Sequence, residues 1–262
     1  MLTGKTVLLT GATGGLGGAL AAALAREHVD LVVTGRRAPE LAELATRVGG
    51  RAIVADLALP ADRARLLAEA GQVDVLVSNA ALPGTGSLPS FTPEQVARAL
   101  EVNLVAGVGL ARAVLPGMLE RGSGALVFVS SLAGLTATPQ TSLYNATKFG
   151  LRGFGLSLHE ELRGTGVHAG VVLPGFVRDA GMFAESGVPA PTGFGTCTPE
   201  QVAAAVLRSI TGRRAEILVG PLRSRASARL GGLAPMLAYR LQRLGLLKDI
   251  GARMAAAQQH KR

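Results

Sequence analysis

Residues 5–10, Lys-Thr-Val-Leu-Leu-Thr, make a short apolar run that is cut by Gly11, Gly14, Gly15, Gly17 and Gly18 before an Ala/Leu-rich stretch to about Arg26. A buried strand, a glycine loop and a helix in that order aim free backbone N–H groups and a helix N-terminus at one point, where an anion such as a phosphate is favoured. The same apolar start after Lys5 superficially suits a signal peptide, but the glycines interrupt the helix such a peptide needs. A folded βα unit is therefore expected.

The alternation continues down the chain. Strands are expected at Leu31–Thr34, Ala52–Ala55, Val73–Val77, 125–130 and Val167–Leu173, with helices from near Pro39, over Ala61–Ala70, after Thr92 and from Tyr144 to about Arg163. Thr92 is a good N-cap with Pro93 at the first helical position. Six or seven such units predict an α/β fold, a three-layer, doubly wound parallel sheet of Rossmann type with ligands at the carboxyl ends of its strands. At 262 residues, 48% of them hydrophobic, one domain with a sizeable core is expected. We divide the chain into residues 1–220 and a C-terminal helical extension, 221–262.

The second strand ends in Gly35-Arg36-Arg37, with no acid between Leu31 and Pro39. A carboxylate here would suit the ribose 2′-OH of NAD, whereas arginine accommodates the 2′-phosphate of NADP. NADP(H) is the expected cofactor, with NAD(H) the alternative.

Tyr144 and Lys148 are four residues apart and share one face of a helix. A phenol has an ordinary pKa of about 10, and a neighbouring cation favours its ionised form. The chain has 2 tyrosines, and its lysines are Lys5, Lys148, Lys248 and Lys261 among 27 basic residues, so a lysine at 148 is a marked choice. An ordinary helix with a half-buried tyrosine and a solvated lysine would show the same pair. Asn103 lies in an apolar stretch, Val102 to Val108, either as a satisfied core amide or as the holder of a water in a proton path.

Taken together, these residues resemble the short-chain dehydrogenase/reductase family over roughly residues 5–220. Thr10-Gly11-x-x-x-Gly15-x-Gly17 matches its cofactor loop, Asp56 its adenine contact, Ser78-Asn79-Ala80 its Asn-Asn-Ala-Gly motif, and Pro174-Gly175-x-Val177 its nicotinamide turn. Thr13, Leu16, Leu57 and Ala81 adjoin these positions and are expected at the cofactor too. Asn103, Ser131, Tyr144 and Lys148 fall on its catalytic tetrad. The resemblance implies that Tyr144 exchanges a proton with a carbonyl or alcohol and that Ser131 steadies the substrate oxygen. It implies also that Lys148 lowers the tyrosine pKa and holds the ribose, while Asn103 positions a water. Ala81 stands where the motif closes with glycine. Asp179 stands where a threonine often bonds the carboxamide, and Thr13 replaces a basic residue.

By the same resemblance, about 176–198 is a substrate lid, with Met182 and Phe183 as substrate contacts. Its apolar side chains point to a hydrophobic carbonyl or alcohol. A homodimer or homotetramer is expected through the helices carrying Asn103 and Tyr144, where Gly107, Gly109, Gly150, Gly153 and Gly155 would permit close approach. A 3-oxoacyl-carrier-protein-type reductase and a non-catalytic cofactor-binding sensor or scaffold are the alternative readings.

Net charge is +9 and much of the excess lies in the last third. Leu230, Leu233, Leu237, Leu241 and Leu244 recur at three- and four-residue steps with arginines between them, a basic amphipathic helix. Packing on the core or a subunit explains it plainly; an anionic membrane surface or an acidic carrier protein is the sharper option. Nucleic acid is not expected, since only 3% of residues are aromatic and the charge has no stacking platform. His28, His159, His168 and His260 show no metal-ligand spacing, so no metal is expected. Cys197, the one cysteine, excludes an intrachain disulfide and fits a cytoplasmic location. No run of 18 or more apolar residues exists, so no membrane-spanning helix is expected.

Overall fold

The computed structural model describes residues 2–190, 194–236, 240, 253–254 and 256–257. Seven parallel strands form one sheet: β1 (Thr6–Thr10), β2 (Asp30–Gly35), β3 (Arg51–Val54), β4 (Val75–Ser78), β5 (Gly124–Val129), β6 (Val167–Pro174) and β7 (Glu216–Val219). Their order is β3-β2-β1-β4-β5-β6-β7, so the chain reverses its direction of travel across the sheet between β1 and β4. The doubly wound α/β fold expected from the alternation is present; the six strands read in the sequence end within two residues of those observed, and β7 was not among them.

Apolar strands buried on both sides are what a sheet covered by helices requires. Val7 and Leu9 of β1 join Val33, Val77 and Val127 under α1 (Gly15–Ala25), α2 (Ala38–Val48) and α8 (Pro199–Gly212). Leu8, alternating with them, joins Val32, Leu76, Leu126 and Phe128 on the opposite face. That face is covered by α3 (Pro60–Ala70), α5 (Ala106–Glu120) and α6 (Ser142–Glu161). Phe128 meets Phe154 of α6 edge to face at 5.3 Å between ring centroids.

Thr92 caps α4 (Pro93–Leu100) in a full capping box with Gln95. The long helix expected after Thr92 runs to Glu120 with an interruption that was not expected: Glu101–Val105 form a π turn before α5 (Ala106–Glu120). The unit Pro93–Glu120 is long and apolar enough by length and composition to cross a membrane, although no continuous apolar run of that length exists. Here Ala106, Gly107, Leu110, Ala111 and Met118 are buried, while 33% of its most apolar window is buried in all.

Of the five glycines expected at a subunit contact, Gly107 and Gly155 serve the interior. A Cβ on Gly107 would strike Ser78 and Leu151, and one on Gly155 would strike Val171 and Phe128. Gly153 has open space, and a Cβ on Gly109 would make an ordinary contact with Arg63. After β7, α9 (Leu222–Leu233) supplies the first turns of the expected basic extension. Leu237, Leu241 and Leu244, like Pro191 of the lid segment, lie outside the described residues.

The approach of α6 to the sheet at Gly155 gives a test of this packing. Gly155→Val overfills it and should lower stability by about 1–3 kcal/mol, read as a fall in the urea midpoint at unchanged slope.

Candidate active site

Most of the residues expected at the ligand end of the sheet line one cavity of about 1080 Å³, running from Arg36 and Asp56 past the glycine loop to Tyr144 and Lys148, while Thr10 and Asn103 stand behind its wall. Its floor is the gap between β1 and β4. Thr10 Oγ1 accepts hydrogen bonds from the backbone of Asn79 (3.0 Å) and Ala80 (3.1 Å). Asn79 Nδ2 donates to the carbonyls of Thr10 and Gly11. Asn79 thus fastens the glycine loop to β4 with its amide nitrogen. Gly11 has φ 66°, and a Cβ there would stand 2.6 Å from Ala80 Cα, so the loop needs glycine at this point.

Gly14 caps α1 without a side chain, and the first turn of that helix carries no acid. Its N–H groups and positive dipole end are therefore left to a phosphate. Gly15, Leu16 and Gly17 line the cavity with Thr13. At the far end Arg37 Nη2 donates to Thr13 O at 2.5 Å and its Nε lies 3.7 Å from Glu40. Arg36 lines the cavity and makes no ion pair among the described residues, which leaves it the better placed of the two for an added phosphate.

Asp56 is held on both oxygens, by Ala58 N at 3.0 Å and by Arg98 Nη2 at 2.6 Å. Burial would push its carboxyl up, but those bonds and the charges of Arg98 and Arg36 hold it below the usual range. Leu57 beside it is buried, and both line the cavity. The shape and the donors fit a dinucleotide: room for it, a bare helix N-terminus for the pyrophosphate and a guanidinium beside the ribose end.

At the other end β5 delivers Ser130 and Ser131, and α6 delivers Tyr144 and Lys148. Ser130 Oγ donates to the carbonyl of Lys148 at 2.8 Å, tying helix to strand. Ser131 Oγ accepts from Ala133 N at 3.1 Å, lies 3.4 Å from Pro174 O, and shares a hydrogen bond with Tyr144. Lys148 is 2% exposed, with Nζ donating to Val129 O at 3.1 Å and 5.6 Å from the Tyr144 ring centroid.

Electrostatics here differ from the sequence expectation. Burial pushes the Tyr144 phenol up to about 12, and the bond from Ser131 offsets this only in part. Burial also pulls the Lys148 amine down from 10.5 to about 8. The amine donates to a strand carbonyl, and burial is the largest influence on the phenol, ahead of the bond with Ser131.

Asn103 sits in the π turn, and both ends of its amide are taken. Oδ1 accepts from Leu82 N at 2.6 Å and Nδ2 donates to Leu82 O at 2.9 Å. Its side chain pins the 82–85 loop that follows Ala81. Pro174, Gly175 and Val177 line the cavity, and Val177 pairs with Cys197 to close the 177–197 segment at its base. Met182 and Phe183 of α7 (Gly181–Ala184) and Phe194 face the cavity, with the Phe176 and Phe183 rings 4.7 Å apart. Asp179 does not face it: at φ 67° and 70% side-chain exposure, its carboxylate lies 3.2 Å from Arg178.

The sequence matches the family model described as short chain dehydrogenase over residues 5–188. The chain belongs to the short-chain dehydrogenase family. It is similar to ketoacyl reductase HetN of Nostoc sp., at 39% identity over 83% of this chain and 79% of that one. Among solved structures, a short-chain dehydrogenase from Sphingobium yanoikuyae in complex with NADPH has a TM-score of 0.76 at 30% identity, covering 94% of this chain and 96% of that one. An actinorhodin polyketide ketoreductase variant, solved with NADPH, has a TM-score of 0.74 at 28% identity, covering 84% and 98%. The protein is thus an NAD(P)-dependent oxidoreductase of CH–OH and C=O groups, as this short-chain dehydrogenase family membership carries.

Several wall residues were not foreseen: Leu82, Pro83 and Thr85 from the loop pinned by Asn103, Thr136 and Thr138 before α6, and Ser227, Leu230 and Met254 from the extension. Nothing local marks them, since they reach the cavity only through long-range folding.

The Lys148 shift has a consequence for stability. Below about pH 8 the amine is protonated in both folded and unfolded chains, and the fold bears the whole cost of burying the charge. Between about 8 and 10.5 the folded state loses the proton first, so the unfolded chain binds more protons and stability rises with pH. Lys148→Met should therefore raise Tm relative to the unmutated protein at pH 7, and the difference should shrink towards pH 10.5, as calorimetry across the range would show.

Proposed function

We propose that this protein is an NADPH-dependent reductase of apolar, uncharged ketones, with Tyr144 as the proton donor. The observation that carries the reading is the convergence of the half-buried Tyr144 phenol, Ser131 and buried Lys148 at one end of a cavity whose far end presents Arg36. NADPH bound there supplies the hydride. Ser131 holds the substrate oxygen and steadies the charge that grows on it. Tyr144, kept protonated by burial, gives its proton to that oxygen. The same burial favours carbonyl reduction, since alcohol oxidation needs the phenolate first. Lys148 holds positive charge beneath the phenol at neutral pH and is placed to meet the ribose. Asn103 holds the 82–85 loop against the site.

Substrate class follows from the wall. Leu82, Pro83, Leu132, Met182, Phe183, Phe194, Leu230 and Met254 surround the reacting end, and Lys148 is the cation there among the described residues. A carboxylate substrate would want a dedicated Arg or Lys partner. An acyl chain or another neutral hydrocarbon body suits this wall better, which also keeps a 3-oxoacyl-type substrate in view. The similarity to a ketoacyl reductase and a polyketide ketoreductase supports that version. Exposed Val105 and Phe149 on the helices of Asn103 and Tyr144 support a homodimer or homotetramer.

Two substitutions test the reading. Tyr144→Phe should lower kcat for ketone reduction by about 10²–10⁴-fold while NADPH still binds, and turnover that survives would remove the phenol from the mechanism. Arg36→Asp should move preference from NADPH towards NADH in kcat/KM. An unmutated enzyme that already prefers NADH would overturn the cofactor assignment.

A further inference from the structure

Helix α9 wears its side chains in the reverse of the usual order. At 100° per residue, Ser224, Ala228 and Gly231 fall on one side of it, and those small residues are the buried ones. Leu222, Leu233 and Leu230 fall on the opposite side within an arc of about 80°. They are 75%, 86% and 45% exposed, and Met236 just beyond the helix is 72% exposed. Arg229 and Arg223 lie at the two edges of that arc, both exposed, and Arg240 is exposed further on. The helix is not loosely attached: Ser224 Oγ donates to Phe194 O, and Ala228 packs with Leu132, Leu135 and Leu218. Its outward leucines are a built feature of a docked helix.

Charge narrows what such a face can meet. Between Glu216 and Asp249 the sequence contains no acid, while Arg223, Arg225, Arg229, Arg240, Arg243 and Lys248 all fall within it. A narrow apolar arc bordered by guanidiniums complements a surface that is anionic outside and apolar a few ångströms down. Leucines enter the headgroup boundary while arginine stems lie along it and place their heads on phosphates. An acidic protein would answer the charge but would leave Leu222 and Leu233 without a reason.

We propose that α9 docks this protein on anionic phospholipid membranes through Leu222, Leu230 and Leu233, edged by Arg223 and Arg229. Ser227, Ala228 and Leu230 of the same helix line the substrate cavity, so the docked face adjoins its wall and an apolar substrate passes from lipid to the site. That second step rests on the ketone-reductase reading. The docking itself does not, and a binding assay without turnover separates the two.

The test is co-sedimentation with phosphatidylcholine vesicles, with and without phosphatidylglycerol, at low and high salt. The full chain should sediment with the anionic vesicles, much less with phosphatidylcholine alone, and less as salt rises. The double variant Leu222→Ser, Leu233→Ser should lose at least about tenfold in partitioning. Its NADPH affinity and circular dichroism should be unchanged, since neither leucine lines the cavity. Arg223→Gln with Arg229→Gln should abolish the preference for anionic lipid. No sedimentation with anionic vesicles overturns the proposal. So does binding that survives the serine pair and fails only with the arginine pair, which would mark a purely electrostatic surface such as one for an acidic carrier. A serine pair that changes the oligomeric mass and leaves vesicle partitioning unaltered also overturns it, by showing that a second copy covers the face.

Discussion

One hydroxyl holds the ligand end of this molecule open. A parallel sheet whose connections leave in opposite directions from two neighbouring strands has a gap between them, and nothing in the strand pairing keeps that gap in register beyond the last ladder bond. Thr10 Oγ1 fills that role: it accepts from the N–H groups of both Asn79 and Ala80, while Asn79 returns its amide hydrogens to the carbonyls of Thr10 and Gly11. The hydroxyl's accepting capacity is fully used. With β1 and β4 locked so, Gly11 can press on Ala80 with no side chain between them, and α1 starts with its N–H groups bare at the cavity. The phosphate end and the reacting end are then placed by the same short run of bonds.

At the reacting end, burial sets the chemistry. A phenol pushed up to about 12 is a reservoir for one proton at neutral pH, and an amine drawn to about 8 beneath it remains charged there. The charge is therefore in place while the proton has not left, an arrangement for giving a proton to an oxygen that is gaining electrons. Ser131 completes it by touching Tyr144 while its own oxygen is oriented by Ala133 N. The strength of each of these contacts depends on the site being dry, since a low local dielectric magnifies charge and dipole alike. The apolar wall of Leu82, Leu132, Met182 and Phe183 thus serves the acid–base groups as well as the substrate.

What could be read from the sequence was what depends on near neighbours. The glycine loop, the capping box at Thr92, the arginines at the end of β2 and the shared helix face of Tyr144 and Lys148 are encoded within a few residues each. The features that escaped are set by partners far away. Desolvation of Tyr144 comes from the assembled wall, so its sign opposes the helix-neighbour argument. Asn103 is claimed by Leu82, 21 residues earlier. Asp179 stands where the family often has a threonine that bonds the carboxamide, yet at its positive φ the carboxylate lies against Arg178. The glycines of α5 and α6 carry no label saying whether they face a strand or another subunit. Met254 and Ser227 join the wall from a segment whose pattern reads only as a basic helix.

The π turn explains how one helix can brace both ends of the cavity. Arg98, in the last turn of α4, reaches Asp56 at the cofactor end; Glu101, opening the π turn, takes Arg63, which also donates to the carbonyl of Leu57. Two residues on, Asn103 must face a different loop, the one leading from β4 towards the reacting end. A regular helix advances by about 100° per residue and would fix the angle between these three side chains. Inserting one residue into the hydrogen-bond ladder changes the angle locally while the helix axis continues, so Asn103 can meet both the N–H and the carbonyl of Leu82. A buried asparagine bonded at both ends of its amide tolerates no other arrangement without leaving polar atoms unpaired. The irregular turn therefore couples the cofactor-end carboxylate to the loop beside Tyr144 through one stiff element.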